Sequence, residues 1–168
     1  GYLNIAREYS GTMAGQRAQL QAAITLFDAG KYADAQKQFE NFLSAYADSS
    51  LVAPAQTGVA ASLEAQDKLD QAATHYQTIA TSFPNSTAAI DAKFSSGRVL
   101  QLQGKLNEAL TFYQDVARSP LAGSLASVAQ RRAVEIQARI STQKPAVQAV
   151  QPSASPAPQS NPKPNTKS

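Results

Sequence analysis

Apolar residues recur along most of the chain at steps of three or four, the spacing that places them on one face of an α-helix. The first such stretch contains Ala18, Ala22, Leu26 and Ala29, and the second contains Tyr32, Ala35, Phe39, Phe42 and Tyr46. Gly30 lies between the two stretches, where a residue without a side chain allows the turn that ends a helix. The pattern therefore predicts two helices that are joined by a tight turn.

The same pattern returns at intervals of 37 residues. The step relates the segments Gly30–Ala35, Asp67–Ala72 and Gly104–Ala109, the aromatic residues Phe39, Tyr76 and Tyr113, and the alanines Ala18, Ala55, Ala92 and Ala129. Periods of this length are typical of helical solenoids, in which each unit buries its apolar face against its neighbours. We therefore predict an all-α solenoid of three helix pairs, at 10–46, 47–83 and 84–120. It has about seven helices and no sheet.

Small residues mark the places where the two helices of a pair come closest. These residues are Ala23, Ala60 and Gly97 on the first helices, and Ala35, Ala72 and Ala109 on the second helices. A larger side chain there would push the helices apart, at a cost of about 1–3 kcal/mol per site. At the junctions 47–50 and 84–87, Asp, Asn and Ser side chains are suited to cap the next helix. Pro54 predicts a late start or a kink in the helix after the first junction.

Both ends of the solenoid depart from the paired pattern. Carried backwards, the period places Gly1–Tyr9 in the second half of a second helix, so we interpret this segment as the remnant of an upstream repeat. The alternative is a short capping helix. In the first case Tyr2, Ile5 and Tyr9 form an apolar stripe without a partner, and we expect weak self-association through this end. At the other end, residues 121–140 are predicted to form one capping helix.

Residues 141–168 have a different composition, with prolines among Ser, Gln, Asn and Ala and without aromatic residues. Such a segment buries too little apolar surface to offset the entropy of ordering, so we predict a disordered tail. No two of its prolines stand three apart, which leaves a linker or plain tail as the main interpretation and a docking motif as the alternative.

The formal net charge of +3 comes from this tail, because residues 1–140 contain twelve basic and twelve acidic side chains. A nucleic-acid-binding protein is expected to carry a basic stripe on its folded surface, and nucleic acid is therefore not a predicted partner. No run of eighteen apolar residues occurs, so we predict no direct membrane insertion by this chain.

The sequence offers no set of residues for catalysis. Cysteine is absent and His75 is the only histidine, so zinc ligation would require carboxylates alone. Gly104–Lys105 lacks the remaining residues of a phosphate loop, and nothing near His75 resembles a nucleophile elbow. We therefore predict no catalytic residues, no metal and no cofactor, and we interpret His75 as a structural or surface residue.

The paired helices, the small residues at their crossings and the aromatic residue on each second helix resemble the tetratricopeptide repeat family, over residues 1–140. The unit is longer than the usual 34 residues of that family, and Gln19, Gln56 and Lys93 replace its early tryptophan. A longer unit with a Phe-Pro-Asn-Ser junction is similar to the repeats of bacterial envelope proteins, such as the cell-division coordinator and the accessory subunit of the secretion translocon. The break at 119–122 favours the latter.

The resemblance implies that the first helices line a concave face that binds a protein or peptide partner. By register, that face receives Arg17, Leu20, Ile24, Phe27, Thr57, Ala61, Glu64, Phe94, Arg98, Gln101, Arg131 and Glu135. The large apolar residues among them are suited to anchor a peptide or helix, or alternatively to pack between neighbouring units. Leu20, Thr57 and Phe94 take the place of the clamp lysine of chaperone-binding relatives, which argues against recognition of chaperone C-termini.

Three hypotheses of function follow from these observations. The first is a non-enzymatic interaction scaffold on the periplasmic side of the bacterial cell envelope. In this hypothesis a segment upstream of this chain anchors it in the inner membrane, and it assists assembly or secretion of envelope proteins. The second is a cytosolic adaptor with the same fold. The third is an enzyme.

Overall fold

A computed structural model describes residues 1–143, and over this range it consists of eight α-helices without a strand. They are α1 (Tyr2–Glu8), α2 (Met13–Asp28), α3 (Tyr32–Ala45), α4 (Val52–Ala65), α5 (Leu69–Ser82), α6 (Thr87–Leu102), α7 (Leu106–Arg118) and α8 (Leu125–Gln143). The predicted all-α solenoid is confirmed, with α1 as the additional helix beyond the expected seven. Helix α8 continues past residue 140 to Gln143, and the rest of the predicted tail lies outside the described residues.

Each helix packs against the next one along the chain, from α1 to α8. The first helices of successive pairs also contact one another directly, because α4 touches both α2 and α6. We refer to the surface formed by α2, α4, α6 and α8 as the first-helix face. Two clusters of buried apolar side chains run through the stack, one centred on α2 to α5 and one on α6 to α8.

The turn inside each pair requires a left-handed backbone conformation. Gly30 and Gly104 both have a φ of 74°, and Asp67 has a φ of 60° at the equivalent position of the middle unit. In the first unit the amide of Lys31 donates to the carbonyl of Leu26 at 2.9 Å, which closes the end of α2. This conformational requirement explains why the repeat is most visible in the sequence at the turn.

The predicted small residues lie at the helix crossings. Ala23, Ala35, Ala60, Ala72 and Ala109 are completely inaccessible to solvent. At Gly97 an added Cβ would come within 3.2 Å of the ring of Tyr113, so the absence of a side chain there allows close contact between α6 and α7.

The junctions between units follow the predicted capping only in part. Ser86 caps α6, where its hydroxyl accepts a hydrogen bond from the amide of Ala89 at 3.1 Å. Helix α4 has no side-chain cap, and Ser49 instead accepts from the amide of Leu51 and donates to Gln16. Pro54 lies in the first turn of α4, where its missing N–H removes no intrahelical bond. The helix begins at Val52, two residues later in the repeat than α2 and α6, so the late start, the first of the two alternatives, is confirmed.

Candidate functional site

An apolar pocket of about 230 Å³ opens between α2 and α4 on the first-helix face. It is lined by Leu20, Ile24, Phe27, Phe39, Pro54, Thr57, Gly58 and Ala61. Five of the residues predicted for partner binding are thus brought together here, namely Leu20, Ile24, Phe27, Thr57 and Ala61. Arg17 is an exposed residue of α2 and does not line this pocket.

The apolar side chains of this pocket combine the two roles that the sequence left open. Leu20 and Phe27 pack against the buried cluster and also line the pocket wall. Ile24 retains 36% of its surface exposed, whereas Leu20 and Phe27 are partly buried. The pocket therefore presents an apolar surface to solvent on a rigidly packed base, as an anchor site for an apolar side chain requires.

Three residues of the pocket, Phe39, Pro54 and Gly58, were not predicted as part of the site. A Cβ at Gly58 would overlap the ring of Phe39, so the ring lies against the backbone of α4 at this point. Gly58 is the one glycine inside the apolar stripe of α4, and a glycine within a helix indicates close approach by another group. That signal in the sequence would have identified the position.

A second pocket, of about 200 Å³, lies farther along the same face between α6 and α8. It is lined by Phe94, Arg98, Gln101, Leu102, Tyr113 and Arg132. We call it the cationic pocket because two guanidinium groups line it. Its aromatic walls are fixed, since the rings of Phe94 and Tyr113 meet edge to face at 5.2 Å. The hydroxyl of Tyr113 donates a hydrogen bond to the side chain of Gln101 at 3.2 Å.

An ion pair connects the middle of the first-helix face to the cationic pocket. Arg98 on α6 contacts Glu64 on α4 through two nitrogen–oxygen pairs, at 2.8 and 2.9 Å. The hydroxyl of Tyr76 donates to the same carboxylate at 3.1 Å. Burial is the main reason that the pKa of Tyr76 lies above its ordinary value, and the charge of Glu64 adds to the effect. Glu64 thus holds Arg98 in a defined orientation.

On α8 the residue that lines the cationic pocket is Arg132, whereas the repeat register had placed Arg131 on this face. Arg131 is exposed and lies outside the pocket lining. Arg132 pairs with Glu135, the other predicted residue of α8, at 3.2 Å. Arg132 occupies the same repeat position as Gly58, which is one residue later in the repeat than the position of the predicted Arg131.

Within residues 1–143 no group of three or more His, Cys, Asp or Glu side chains is placed to hold a metal ion. His75 lies exposed on α5. In the same range, no helix combines the length and apolar character needed to cross a membrane.

The structure resembles solved structures of bacterial secretion chaperones. PcrH from Pseudomonas aeruginosa has a TM-score of 0.65 at 18% identity, over 75% of this chain and 94% of PcrH. SycD from Yersinia enterocolitica is a type III secretion chaperone, solved in complex with a peptide of the translocator YopD. It has a TM-score of 0.64 at 19% identity, over 78% of this chain and 98% of SycD. A type III secretion complex from Aeromonas hydrophila has a TM-score of 0.67 at 16% identity, over 83% of this chain and 91% of the matched chain. At these identities the likeness shows a shared fold alone.

Sequence comparison identifies the family. No curated protein matches the sequence. The family model for the tetratricopeptide repeat-like domain matches residues 2–154, which is most of the chain. The paired helices, the 37-residue period and this match agree, and the chain belongs to the tetratricopeptide repeat-like domain family.

Proposed function

We propose that this chain is a non-enzymatic scaffold that holds a segment of a partner protein on its first-helix face, with an apolar side chain of the partner in the apolar pocket. The observation that carries the proposal is the pocket itself, which is apolar, open to solvent and built on packed helices. The family supports the proposal, since solenoids of this type present extended faces for binding.

The solved structures of similar fold are consistent with this function. SycD is in complex with a peptide of the translocator YopD, and PcrH has been solved with the chaperone-binding regions of PopB and PopD. Burial of one Leu-sized side chain contributes about 1.5–3 kcal/mol, which is too little for a stable complex. The partner segment must therefore also make contacts outside the apolar pocket.

The cellular place of this scaffold is a separate question. The resemblance of the repeats to envelope proteins favours a periplasmic scaffold with an anchor upstream. Some of the similar solved structures are chaperones with a bound segment of another protein, and they agree better with the alternative, a cytosolic adaptor. An apolar segment of about twenty residues in the full-length protein, ahead of this sequence, would support the envelope hypothesis.

Selection from a random peptide library displayed on phage tests the proposed function. We expect the chain to enrich peptides with Leu, Ile or Phe at a recurring position. Ile24→Asp should abolish the enrichment, because it places a charge in the apolar pocket without emptying the core. Val134→Asp is the matched control, since Val134 is 60% exposed on α8 and lines neither pocket. No enrichment, or equal loss in both variants, would contradict the proposal.

A further inference from the structure

The two pockets of the first-helix face are the same site of the repeat, two units apart. Each of five residues in the apolar pocket has a counterpart in the cationic pocket two periods, or 74 positions, later. The pairs are Leu20 and Phe94, Ile24 and Arg98, Phe27 and Gln101, Phe39 and Tyr113, and Gly58 and Arg132. The backbone geometry is therefore repeated, while the chemistry of the site differs.

The substitutions change the kind of group that each pocket accepts. In the apolar pocket none of the five side chains carries a charge or a hydroxyl. In the cationic pocket, arginines stand in place of Ile24 and Gly58, a phenol in place of the Phe39 ring, and an amide in place of the Phe27 ring. A guanidinium presents several donors in a fixed plane, which matches the two oxygens of a carboxylate.

Both arginines already have a carboxylate neighbour, and the two pairs are unequal. Glu64 is 12% exposed at its side chain and holds Arg98 through two contacts, so this pair orients the guanidinium while leaving it half exposed. Arg132 and Glu135 share one contact, with about half of each side chain in solvent. Exposed pairs of this kind are worth only about 0.2–1 kcal/mol, so Arg132 is available to another carboxylate.

The field at the cationic pocket favours a negative charge. Burial raises the pKa of the Tyr113 hydroxyl, and Arg132 and Arg98 oppose this effect. The two arginines act on Tyr113 more strongly than Glu135 and Glu64, which act in the opposite direction. Both guanidinium groups thus lie close enough to Tyr113 to favour a negative charge at its hydroxyl.

The distance between the pockets restricts the spacing of the groups they bind. Each unit advances the first helix by one packed interhelical distance, about 8–10 Å, and two units correspond to about 16–20 Å. An extended peptide spans this length with about five or six residues.

We propose that the partner segment is bipartite, with an apolar side chain in the apolar pocket and an Asp or Glu side chain between Arg98 and Arg132, about five or six residues away. This inference rests on the proposed function and specifies its ligand. The carboxylate is that of a side chain within the partner segment, not that of a chain end.

Peptides enriched by the phage selection test the inference. We expect Asp or Glu at a fixed spacing from the apolar residue. In synthetic peptides with that consensus and an amidated C-terminus, Asp→Asn should weaken binding to the unmodified chain about fivefold. The same change should have little effect on binding to Arg132→Gln or to Arg98→Gln/Arg132→Gln. Fluorescence anisotropy with labelled peptides measures each affinity. The difference in affinity between the Asp and Asn peptides should decrease as the salt concentration is raised.

Arg131→Gln is the matched control, because Arg131 is exposed on α8 and lies outside the pocket lining. The Arg131→Gln variant should still bind the Asp peptide more tightly than the Asn peptide. If Arg131→Gln removed this preference, a general charge effect would explain the binding and the inference would be overturned. Arg132→Gln breaks only an exposed pair, so the fold should persist, and thermal unfolding checks this. Enrichment of apolar peptides without an acidic position, or binding that needs a free C-terminal carboxylate, would overturn the inference and leave the proposed function intact.

Discussion

Arg98 and Glu64 join two successive units of the solenoid through a two-point ion pair, with nitrogen–oxygen distances of 2.8 and 2.9 Å. The carboxylate lies mostly buried on α4, while the guanidinium extends from α6 into solvent. Because the hydroxyl of Tyr76 donates to the same carboxylate, the second helix of the middle unit is part of this connection. The pair thus stabilises the unit interface and also orients one wall of the cationic pocket.

A double-mutant cycle with Glu64→Gln and Arg98→Gln should show that this pair contributes to stability. We expect a coupling free energy of about 1 kcal/mol at low salt, since one partner is largely buried and the geometry is bidentate. The coupling should decrease at high salt because the arginine is half exposed. Urea unfolding of the four proteins measures it. The pair of Arg132 and Glu135 is the control, and a coupling there as large as that of Arg98 and Glu64 would contradict the prediction.

The raised pKa of Tyr76 predicts that the protein loses stability in alkaline solution. Its pKa in the folded state is raised, mainly by burial, above the value of about 10 in an unfolded chain. Above about pH 10 the unfolded chain releases this proton while the folded chain retains it, so rising pH favours unfolding. The stabilising contribution is complete below that pH. We therefore expect the free energy of unfolding to decrease more steeply above pH 10 in the unmodified chain than in Tyr76→Phe.

Chemical denaturation at a series of pH values tests this expectation. The free energy of unfolding of Tyr113→Phe should also decrease less steeply above pH 10 than that of the unmodified chain, because burial raises the pKa of Tyr113 as well. If the free energy of unfolding decreased equally with pH in the unmodified chain and in Tyr76→Phe across the alkaline range, this result would be inconsistent with a raised pKa of Tyr76.

Much of the fold could be predicted because the repeat constrains residues for which few substitutes exist. The turn at Gly30, Asp67 and Gly104 requires a positive φ, and the helix crossings require alanine or glycine. Such positions recur in every unit, so a fixed period becomes visible in a single sequence.

The chemistry of the site was less predictable, because it depends on side-chain packing across units. The register identified Leu20, Ile24 and Phe27 as neighbours, but it could not show that the Phe39 ring fills the space beside Gly58. It also selected Arg131 over Arg132, since a shift of one residue along α8 changes which side chain reaches the pocket. Periodicity thus located the face, and packing decided its details.

Gly58→Ala should reduce stability even though alanine favours a helix by about 1 kcal/mol over glycine. The new Cβ would overlap the buried ring of Phe39, which would have to shift towards the apolar pocket. We expect a net loss of about 1–2 kcal/mol in the free energy of unfolding, together with a narrower apolar pocket. Ser95→Ala, at the same repeat position one unit later, should change the stability by less than about 1 kcal/mol.

Combination with Phe39→Leu makes the cause of this loss explicit. If the ring is responsible, the double variant Gly58→Ala/Phe39→Leu should lose less stability than the sum of the single variants. Strict additivity, measured by urea unfolding, would mean that the cost of Gly58→Ala arises elsewhere.

Helix α1 should mediate weak self-association through its exposed face. Ala6 is buried, and the absence of a side chain at Gly15 lets the Tyr9 carbonyl lie close to α2, so the helix is packed on one side. Around this contact, Tyr2, Ile5 and Tyr9 remain exposed by 47%, 43% and 49%. Contact with a second copy would remove this apolar surface from water. We expect sedimentation at several concentrations to show a dimer that Tyr2→Ser/Ile5→Ser weakens and the control Asn4→Ser does not. A monomer at every concentration would indicate that α1 is a self-sufficient cap.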